Sequence, residues 1–121
     1  MGKTVLIVDD SASIREVVSY TIESEGFDVI KGENGKDALK YFDGKDINLV
    51  VTDLHMPEMD GIELIREIRM REEYKHIPIL LLTTETKQEK KSEAKQAGAT
   101  GWIVKPFVPE NLVKVLNKVM R

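Results

Sequence analysis

The chain has 121 residues, of which 41% are hydrophobic, and its 18 Lys and Arg residues nearly balance 21 Asp and Glu residues, which gives a net charge of −3. This length and apolar content fit a single domain over residues 1–121. The charge balance excludes a general attraction to nucleic acid, and the absence of cysteine excludes disulfides, thiol catalysis and Cys-ligated metals. Because no apolar stretch is long enough for a membrane helix, we expect a cytoplasmic monomer that contacts neither membrane nor nucleic acid.

Runs of strand-forming residues alternate along the chain with stretches of helical spacing, which predicts five β/α units. The predicted strands cover residues 4–9, 27–31, 48–53, 79–83 and 101–104. The predicted helices after the first cover residues 35–43, 61–71, 87–97 and 109–120. The first, third and fourth strands are almost purely apolar, which is typical of parallel strands covered by helices on both faces. We therefore expect an α/β three-layer sandwich with a parallel sheet.

The first helix carries the most regular pattern in the chain. Ser13 with Glu16 matches a capping box at its start, and Gly26 is expected to stop it. Helical spacing predicts a set of inward-facing side chains, namely Ile14, Val17, Val18, Thr21 and Ile22. The fourth helix, by contrast, is mostly polar, and only Ala94 and Ala97 are clear core candidates in it.

Charged residues stand where three predicted strands end. Asp9 and Asp10 follow the first strand, Asp53 the third and Lys105 the fifth. Open α/β sheets place ligand sites at the carboxyl edge of parallel strands, so these side chains should converge. Carboxylates about 4 Å apart repel by about 1 kcal/mol in water and about 4 at an effective dielectric of 20, which favours a bound cation. Oxygen donors without Cys or clustered His favour Mg²⁺, so the sequence predicts a site where Mg²⁺ and a phosphoryl group meet.

Each of these residues also has a plainer interpretation. Asp9 and Asp10 could simply end a strand and cap a helix, and only the joint placement of three carboxylates and one lysine favours a site. A lone histidine such as His55 in a polar loop is typically solvent-facing, so we assign its side chain no catalytic role. A stripe of lysines in the fourth helix is interpreted as a solvated face. That stripe comprises Lys87, Lys91 and Lys95.

Four segments together resemble the receiver domains of two-component signalling. They are Asp9-Asp10, the stretch 53–61 (DLHMPEMDG), Thr83-Thr84 and the stretch 98–107 (GATGWIVKPF). The resemblance spans nearly the whole chain and is strongest to the stand-alone, CheY-like chemotaxis response regulators. It implies a flavodoxin-like (βα)5 fold with strand order 2-1-3-4-5, an order for which CheY is itself a known example.

The resemblance also implies roles for the acidic residues. Asp53 accepts a phosphoryl group from a phosphohistidine of a histidine kinase or a histidine phosphotransfer domain. Asp9 and Asp10 hold Mg²⁺ together with Asp53, and the backbone carbonyl of His55 is a further ligand. A carboxylate is a feasible nucleophile toward phosphorus, and such transfer depends mainly on alignment and charge neutralisation.

The resemblance also implies that further residues form a conformational switch. Lys105 pairs with one phosphoryl oxygen, and the hydroxyl of Thr83 donates to another. Thr83 then moves toward the phosphoryl group and the aromatic side chain of Trp102 follows it inward. The output surface is the face formed by helix four, strand five and helix five. A cis peptide bond before Pro106 is also implied.

The chain departs from the family pattern at several positions near the predicted site. Trp102 replaces the more common Tyr or Phe, so full inward rotation is in question. His55 and Glu85 occupy positions that vary the lifetime of the phosphorylated state. Thr84 is bulkier than the Ala or Gly that is common at this position. We expect its side chain to narrow the route by which reactants reach Asp53, and so to slow their access. These departures bear on kinetics and output, and they leave the function class unchanged.

The predicted function is therefore a response regulator that controls a partner, such as a flagellar motor component in chemotaxis, with a phosphatase as a further partner. It acts on no substrate beyond its own phosphorylation and dephosphorylation. A phosphorelay intermediate and a phosphate sink use the same residues and remain open. A Mg²⁺-dependent aspartyl-phosphate phosphohydrolase is disfavoured, because such enzymes carry a second Asp where His55 stands. A flavin carrier is disfavoured by the absence of a Ser/Thr-rich phosphate loop after the first strand.

Overall fold

The computed structural model describes residues 2–120, in which strands and helices alternate along the chain. The strands β1 to β5 are Thr4–Val8, Asp28–Gly32, Leu49–Thr52, Ile79–Thr83 and Gly101–Val104. The helices α1 to α5 are Ala12–Glu23, Gly35–Leu39, Gly61–Arg69, Gln88–Ala97 and Pro109–Val119. All ten predicted elements are confirmed, although α2 ends four residues before its predicted end at 43. A short 3-10 helix, Glu72–Tyr74, was not predicted.

The five strands form one parallel sheet in the order β2-β1-β3-β4-β5, which confirms the expected fold. Alternate side chains of the central strands enter two separate apolar clusters, one on each face. Leu6 and Val50 belong to the cluster covered by α2, α3 and α4. Ile7 and Val51 belong to the cluster covered by α1 and α5. Burial on both faces explains why these strands read as continuous apolar runs.

Two predictions about α1 were wrong. The residue that caps the helix is Ser11, whose hydroxyl accepts a hydrogen bond from the Ile14 N–H at 3.4 Å, so Ser13 lies inside the first turn and forms no capping box with Glu16. The helix starts earlier because the Ser11 N–H is itself held by the Asp9 carboxylate at 2.9 Å. Val17 is 48% exposed rather than buried.

The start of α3 packs so closely against the backbone of Asp53 that only glycine fits at position 61. A methyl group on Gly61 would lie 2.3 Å from the carbonyl oxygen of Asp53, which is far inside van der Waals contact. An unusual backbone angle is not the reason for this glycine, because the left-handed residue of the loop is Glu58 at φ 68°. Asp60 and Glu63 form a reciprocal capping box that fixes the helix start beside it.

The Gly61→Ala substitution should lower the free energy of unfolding by about 1–3 kcal/mol, because the clash is with backbone that cannot yield. This loss should appear even though alanine favours a helix by up to about 1 kcal/mol over glycine. The matched control is Gly2→Ala, whose methyl would meet the end of the exposed Asp28 side chain at 3.3 Å and the Gly26 carbonyl oxygen at 3.4 Å, both far looser than the contact at Gly61. Urea unfolding should show the control within about 0.5 kcal/mol of the native chain. Equal stability of both variants would contradict the close-approach argument.

Candidate functional site

The carboxyl edge of the sheet gathers the three predicted carboxylates. Asp9 and Asp10 follow β1, Asp53 follows β3, and one oxygen of each lies within 4.8 Å of the others. Asp9 is 3% exposed, whereas Asp10 is open to solvent. The register explains the placement, since Val8 pairs directly with Thr52 and brings the ends of the two strands side by side.

Backbone groups hold two of these carboxylates in fixed orientations. One Asp9 oxygen accepts from the Ser11 N–H at 2.9 Å, and the Asp9 carbonyl accepts from the Arg15 guanidinium. One Asp53 oxygen accepts from the Leu54 N–H at 2.7 Å. In each case the second carboxylate oxygen is left to face the space between the strands.

Lys105 fills part of that space and neutralises part of its charge. Its ammonium lies 2.8 Å from Asp9 Oδ2 and 3.3 Å from Asp53 Oδ2, with its side chain only 11% exposed. Burial alone would lower the pKa of Lys105, but the hydrogen bond to Asp9 and the charge of Asp53 outweigh burial and hold that pKa above its ordinary value. The lysine is therefore a fixed cation, and the expected cis peptide bond joins it to Pro106.

Thr83 ends β4 next to the cluster and is fully buried. Its hydroxyl oxygen accepts from the Glu85 N–H at 3.2 Å. Its carbonyl accepts from the Lys105 N–H at 2.8 Å, so the backbones of Thr83 and Lys105 are directly joined. The hydroxyl is thus placed at the sheet edge and tied to the loop that follows β4.

Trp102 lies on β5 and is half-buried against α4. Its indole N–H donates to the Glu85 carbonyl at 3.2 Å, and the Lys91 ammonium lies 5.9 Å from the ring centroid. The indole therefore contacts the same loop that holds the Thr83 hydroxyl. The inward movement of the indole stays a prediction.

Glu85 is the contact residue that the sequence did not reveal. Its carboxylate pairs with His55 Nε2 at 2.9 Å and also accepts from the backbone N–H groups of Thr86 and Lys87. These contacts, the Lys87 N–H first and His55 next, hold the pKa of the Glu85 carboxyl below its usual range. The His55 side chain is 57% exposed, as expected for a solvent-facing histidine. The sequence pointed to Glu85 only through its position two residues after Thr83. Its contacts with His55 and Trp102 could not be predicted, because those residues lie in other segments.

The donor set fits a hard divalent cation. Every candidate donor of the cluster is a carboxylate oxygen, and Lys105 offsets only one of its three negative charges. A divalent ion would neutralise the remaining charge, and oxygen ligands suit Mg²⁺ better than softer metals. The residues present therefore fit a metal of this class.

Asp10→Asn should raise the free energy of unfolding by about 0.5–1 kcal/mol at low salt without divalent ions, because it removes repulsion at the cluster. The Asp10 side chain has no hydrogen bond or ion pair within residues 2–120, so amidation breaks no contact. Thermal unfolding at low and high salt checks this, since about 1 M salt should screen the difference. Asp43→Asn, at an exposed position remote from the cluster, is the matched control and should change little. A loss of stability in Asp10→Asn would contradict the repulsion argument.

Among the helices within residues 2–120, none is both long and apolar enough to cross a bilayer.

Comparisons with known proteins point the same way as the geometry. The sequence model of the response regulator receiver domain matches residues 5–117. Chemotaxis protein CheY-3 of Vibrio cholerae is 42% identical over 116 residues, which is 95% of this chain and 89% of that protein. Chemotaxis protein CheY1 of Helicobacter pylori is 37% identical over 95% of this chain and 94% of its own length. The solved structure of Vibrio cholerae CheY4 superposes with a TM-score of 0.94 at 46% identity, covering 98% of this chain and 99% of that one.

Proposed function

The chain belongs to the response regulator receiver domain family, and from that premise we propose that it is a two-component signalling switch whose phosphoryl acceptor is Asp53. The proposal rests on one observation. Asp9, Asp10 and Asp53 form a cluster at one edge of the sheet, and Lys105 makes ion pairs with Asp9 and Asp53 there. Receiver domains of this type act as switches. Their chemistry is confined to their own phosphorylation and dephosphorylation.

In this proposal Asp53 acts as the nucleophile. Its Oδ1 is occupied by the Leu54 N–H, so Oδ2, which now faces Lys105, is the oxygen that attacks. The phosphodonor is the phosphohistidine of a histidine kinase or phosphotransfer domain. As the oxygen–phosphorus bond forms, the phosphorus–nitrogen bond breaks and its electron pair returns to the imidazole, which takes up a proton. An acyl phosphate on Asp53 results.

Mg²⁺ would be held by Asp9, Asp10, Asp53 and the backbone carbonyl of His55. When bound, it neutralises charge on the oxygens of the donor and acceptor and aligns them. The protein itself supplies a further positive charge. Lys105 leaves its carboxylate partners for a phosphoryl oxygen, and as a compact ammonium it keeps its charge through the exchange.

Thr83 and Trp102 carry the signal outward. The Thr83 hydroxyl can donate to a phosphoryl oxygen while its oxygen still accepts from the Glu85 N–H, so a movement of this side chain toward the phosphoryl group pulls on the backbone at Glu85. The loop that contains Glu85 then shifts, and Trp102 follows because its indole is bonded to the Glu85 carbonyl. The outcome is a population shift in the face formed by α4, β5 and α5, where a partner is controlled.

The setting that we propose is chemotaxis. Relatives that are matched over 89–94% of their own length as well as over 95% of this chain are chemotaxis proteins. The kinase would then be the phosphodonor, a flagellar motor component the target, and a phosphatase the partner that ends the signal. A pull-down from lysate with the native chain, with and without a stable phosphoryl mimic, identifies the partner that depends on the switched state.

Incubation with Mg²⁺ and acetyl phosphate should add one phosphoryl group to the native chain, measured by intact mass. Asp53→Asn should gain none, because the amide is no nucleophile toward phosphorus. Asp43→Asn, at an exposed position remote from the cluster, is the control and should be modified like the native chain. Chelation of the divalent ion should stop the reaction. An adduct on Asp53→Asn equal to the native one would reject Asp53 as the acceptor.

Lys105→Ala should still be phosphorylated at Asp53, yet its output surface should respond poorly, because the ammonium links the phosphoryl group to the loop. The fluorescence of Trp102, the sole tryptophan of the chain, reports the response during phosphorylation. The native chain should show a change in emission that the variant lacks. A normal change in the variant, at equal phosphorylation by mass, would refute this linking role.

A further inference from the structure

Thr52, the last residue of β3, carries the only polar side chain of its strand. The other three residues, Leu49, Val50 and Val51, are apolar, and all four are buried. Valine has nearly the volume of threonine and would fill the position without a hydroxyl, whose burial is costly unless it is hydrogen-bonded. Thr52 is 1% exposed, so bulk water does not reach it. The hydroxyl must therefore be satisfied within the protein.

The backbone of the next residue satisfies this hydroxyl. Thr52 Oγ1 donates to the Asp53 carbonyl at 2.9 Å. Within residues 2–120 no backbone N–H donates to that carbonyl, so the hydroxyl is its hydrogen-bond donor. Gly61 packs against the same carbonyl, since a methyl group at position 61 would lie 2.3 Å from its oxygen. One hydrogen bond and one steric contact thus fix the direction of the Asp53 C=O.

That carbonyl belongs to the peptide unit that also holds the Asp53 side chain. A peptide unit is planar and rigid, so the direction of the Asp53 C=O sets the direction of the Leu54 N–H at its other end. The Leu54 N–H donates to Asp53 Oδ1 at 2.7 Å, a hydrogen bond strengthened by the charge of the carboxylate. The Thr52 hydroxyl therefore acts on the Asp53 carboxylate through a single rigid group.

The remaining hydrogen-bonding groups of Asp53 are held as well. Its N–H donates to the Val8 carbonyl at 2.9 Å, and its Oδ2 faces the Lys105 ammonium at 3.3 Å. Val8 and Leu54 contribute backbone groups, which a substitution does not remove. Among the described residues 2–120, Thr52 is the one whose side chain hydrogen-bonds the Asp53 backbone. Its hydroxyl can therefore be removed while the other bonds are kept.

We propose that Thr52 is a positioning residue for phosphoryl transfer, because its hydroxyl fixes the Asp53–Leu54 peptide so that Oδ1 stays bound and Oδ2 points at the incoming phosphorus. The inference rests on the proposed function, in which Asp53 is the acceptor, and adds the residue that orients this acceptor. Such transfer depends mainly on alignment, and a reacting atom displaced by about 1 Å can slow a reaction about 100-fold. Without the hydroxyl, the peptide unit can tilt and the carboxylate turns with it.

The kinetic test compares Thr52→Val, which removes the hydroxyl at nearly constant volume, with Thr52→Ser, which keeps it. Acetyl phosphate and saturating Mg²⁺ are added to the full chain, and phosphorylation is followed by intact mass. Thr52→Val should react about tenfold more slowly than the native chain, and Thr52→Ser within about twofold of it.

Thr21→Val is the matched control for the loss of a buried hydroxyl. Thr21 is 8% exposed and its hydroxyl also donates to a backbone carbonyl, that of Val17 at 2.9 Å. It lies near the end of α1, whose start is the end beside the carboxylates. Thr21→Val should therefore be phosphorylated at the native rate. Thermal unfolding of all three variants checks that each one folds.

The amide proton of Leu54 provides a readout that needs no phosphorylation. Its short hydrogen bond to a carboxylate should place its NMR resonance downfield in the native chain. The resonance should move upfield in Thr52→Val, because the tilted peptide lengthens that bond. Thr52→Ser and Thr21→Val should leave it in place. A role of Thr52 in packing alone would not produce this pattern.

Several results would overturn the proposal. They are a native rate in Thr52→Val, a Thr52→Ser variant as slow as Thr52→Val, an unmoved Leu54 resonance in Thr52→Val, and equal slowing by Thr21→Val. A native chain that gains no phosphoryl group would instead refute Asp53 as the acceptor. The Leu54 resonance would then still show whether the Thr52 hydroxyl fixes the carboxylate, so the two failures are told apart.

Discussion

The bridge from Lys105 to Asp9 and Asp53 is the interaction on which the site depends. It joins residues 96 and 52 positions apart in the sequence, so only the parallel sheet can bring them together. Removing an ammonium and two carboxylates from water is costly, and their attraction offsets that cost only when the geometry is fixed. Here hydrogen bonds from the Ser11 and Leu54 N–H groups fix both carboxylates. The sheet edge thus holds an arrangement that a flexible loop could not maintain.

The same bridge leaves the site short of positive charge. Three carboxylates face one ammonium, so two negative charges remain at an edge where water is only partly admitted. A protein selected only for stability would not gather charge in this way, and such unbalanced clusters are typical of functional sites. Because Lys105 already serves two carboxylates, a third acidic group that enters must compete for it. In the proposed function, that competition is what would make the lysine responsive to a phosphoryl group.

Sequence reasoning succeeded where local pattern and topology decide the outcome. Apolar runs marked the strands, and parallel order then placed Asp53 and Lys105 at one edge. It failed where a single contact outside the periodic pattern decides the outcome. The N–H of Ser11 is held by the Asp9 carboxylate, which moved the start of α1, and Gly61 is small because the Asp53 carbonyl lies against it. Val17 follows the helical period but faces the gap that α5 leaves open.

Glu85 shows how the tryptophan at position 102 fits the switch. An indole has only a donor, so it can bond the Glu85 carbonyl but could never accept from the loop. The carbonyl it uses belongs to the residue whose N–H is held by the Thr83 hydroxyl. One peptide segment therefore lies between the site and the output face, and any displacement of it acts on both bonds at once. In the proposed function, signal transfer would then require a short shift of backbone at Glu85 rather than a long chain of side-chain rearrangements, and the indole could take part in it without entering the site.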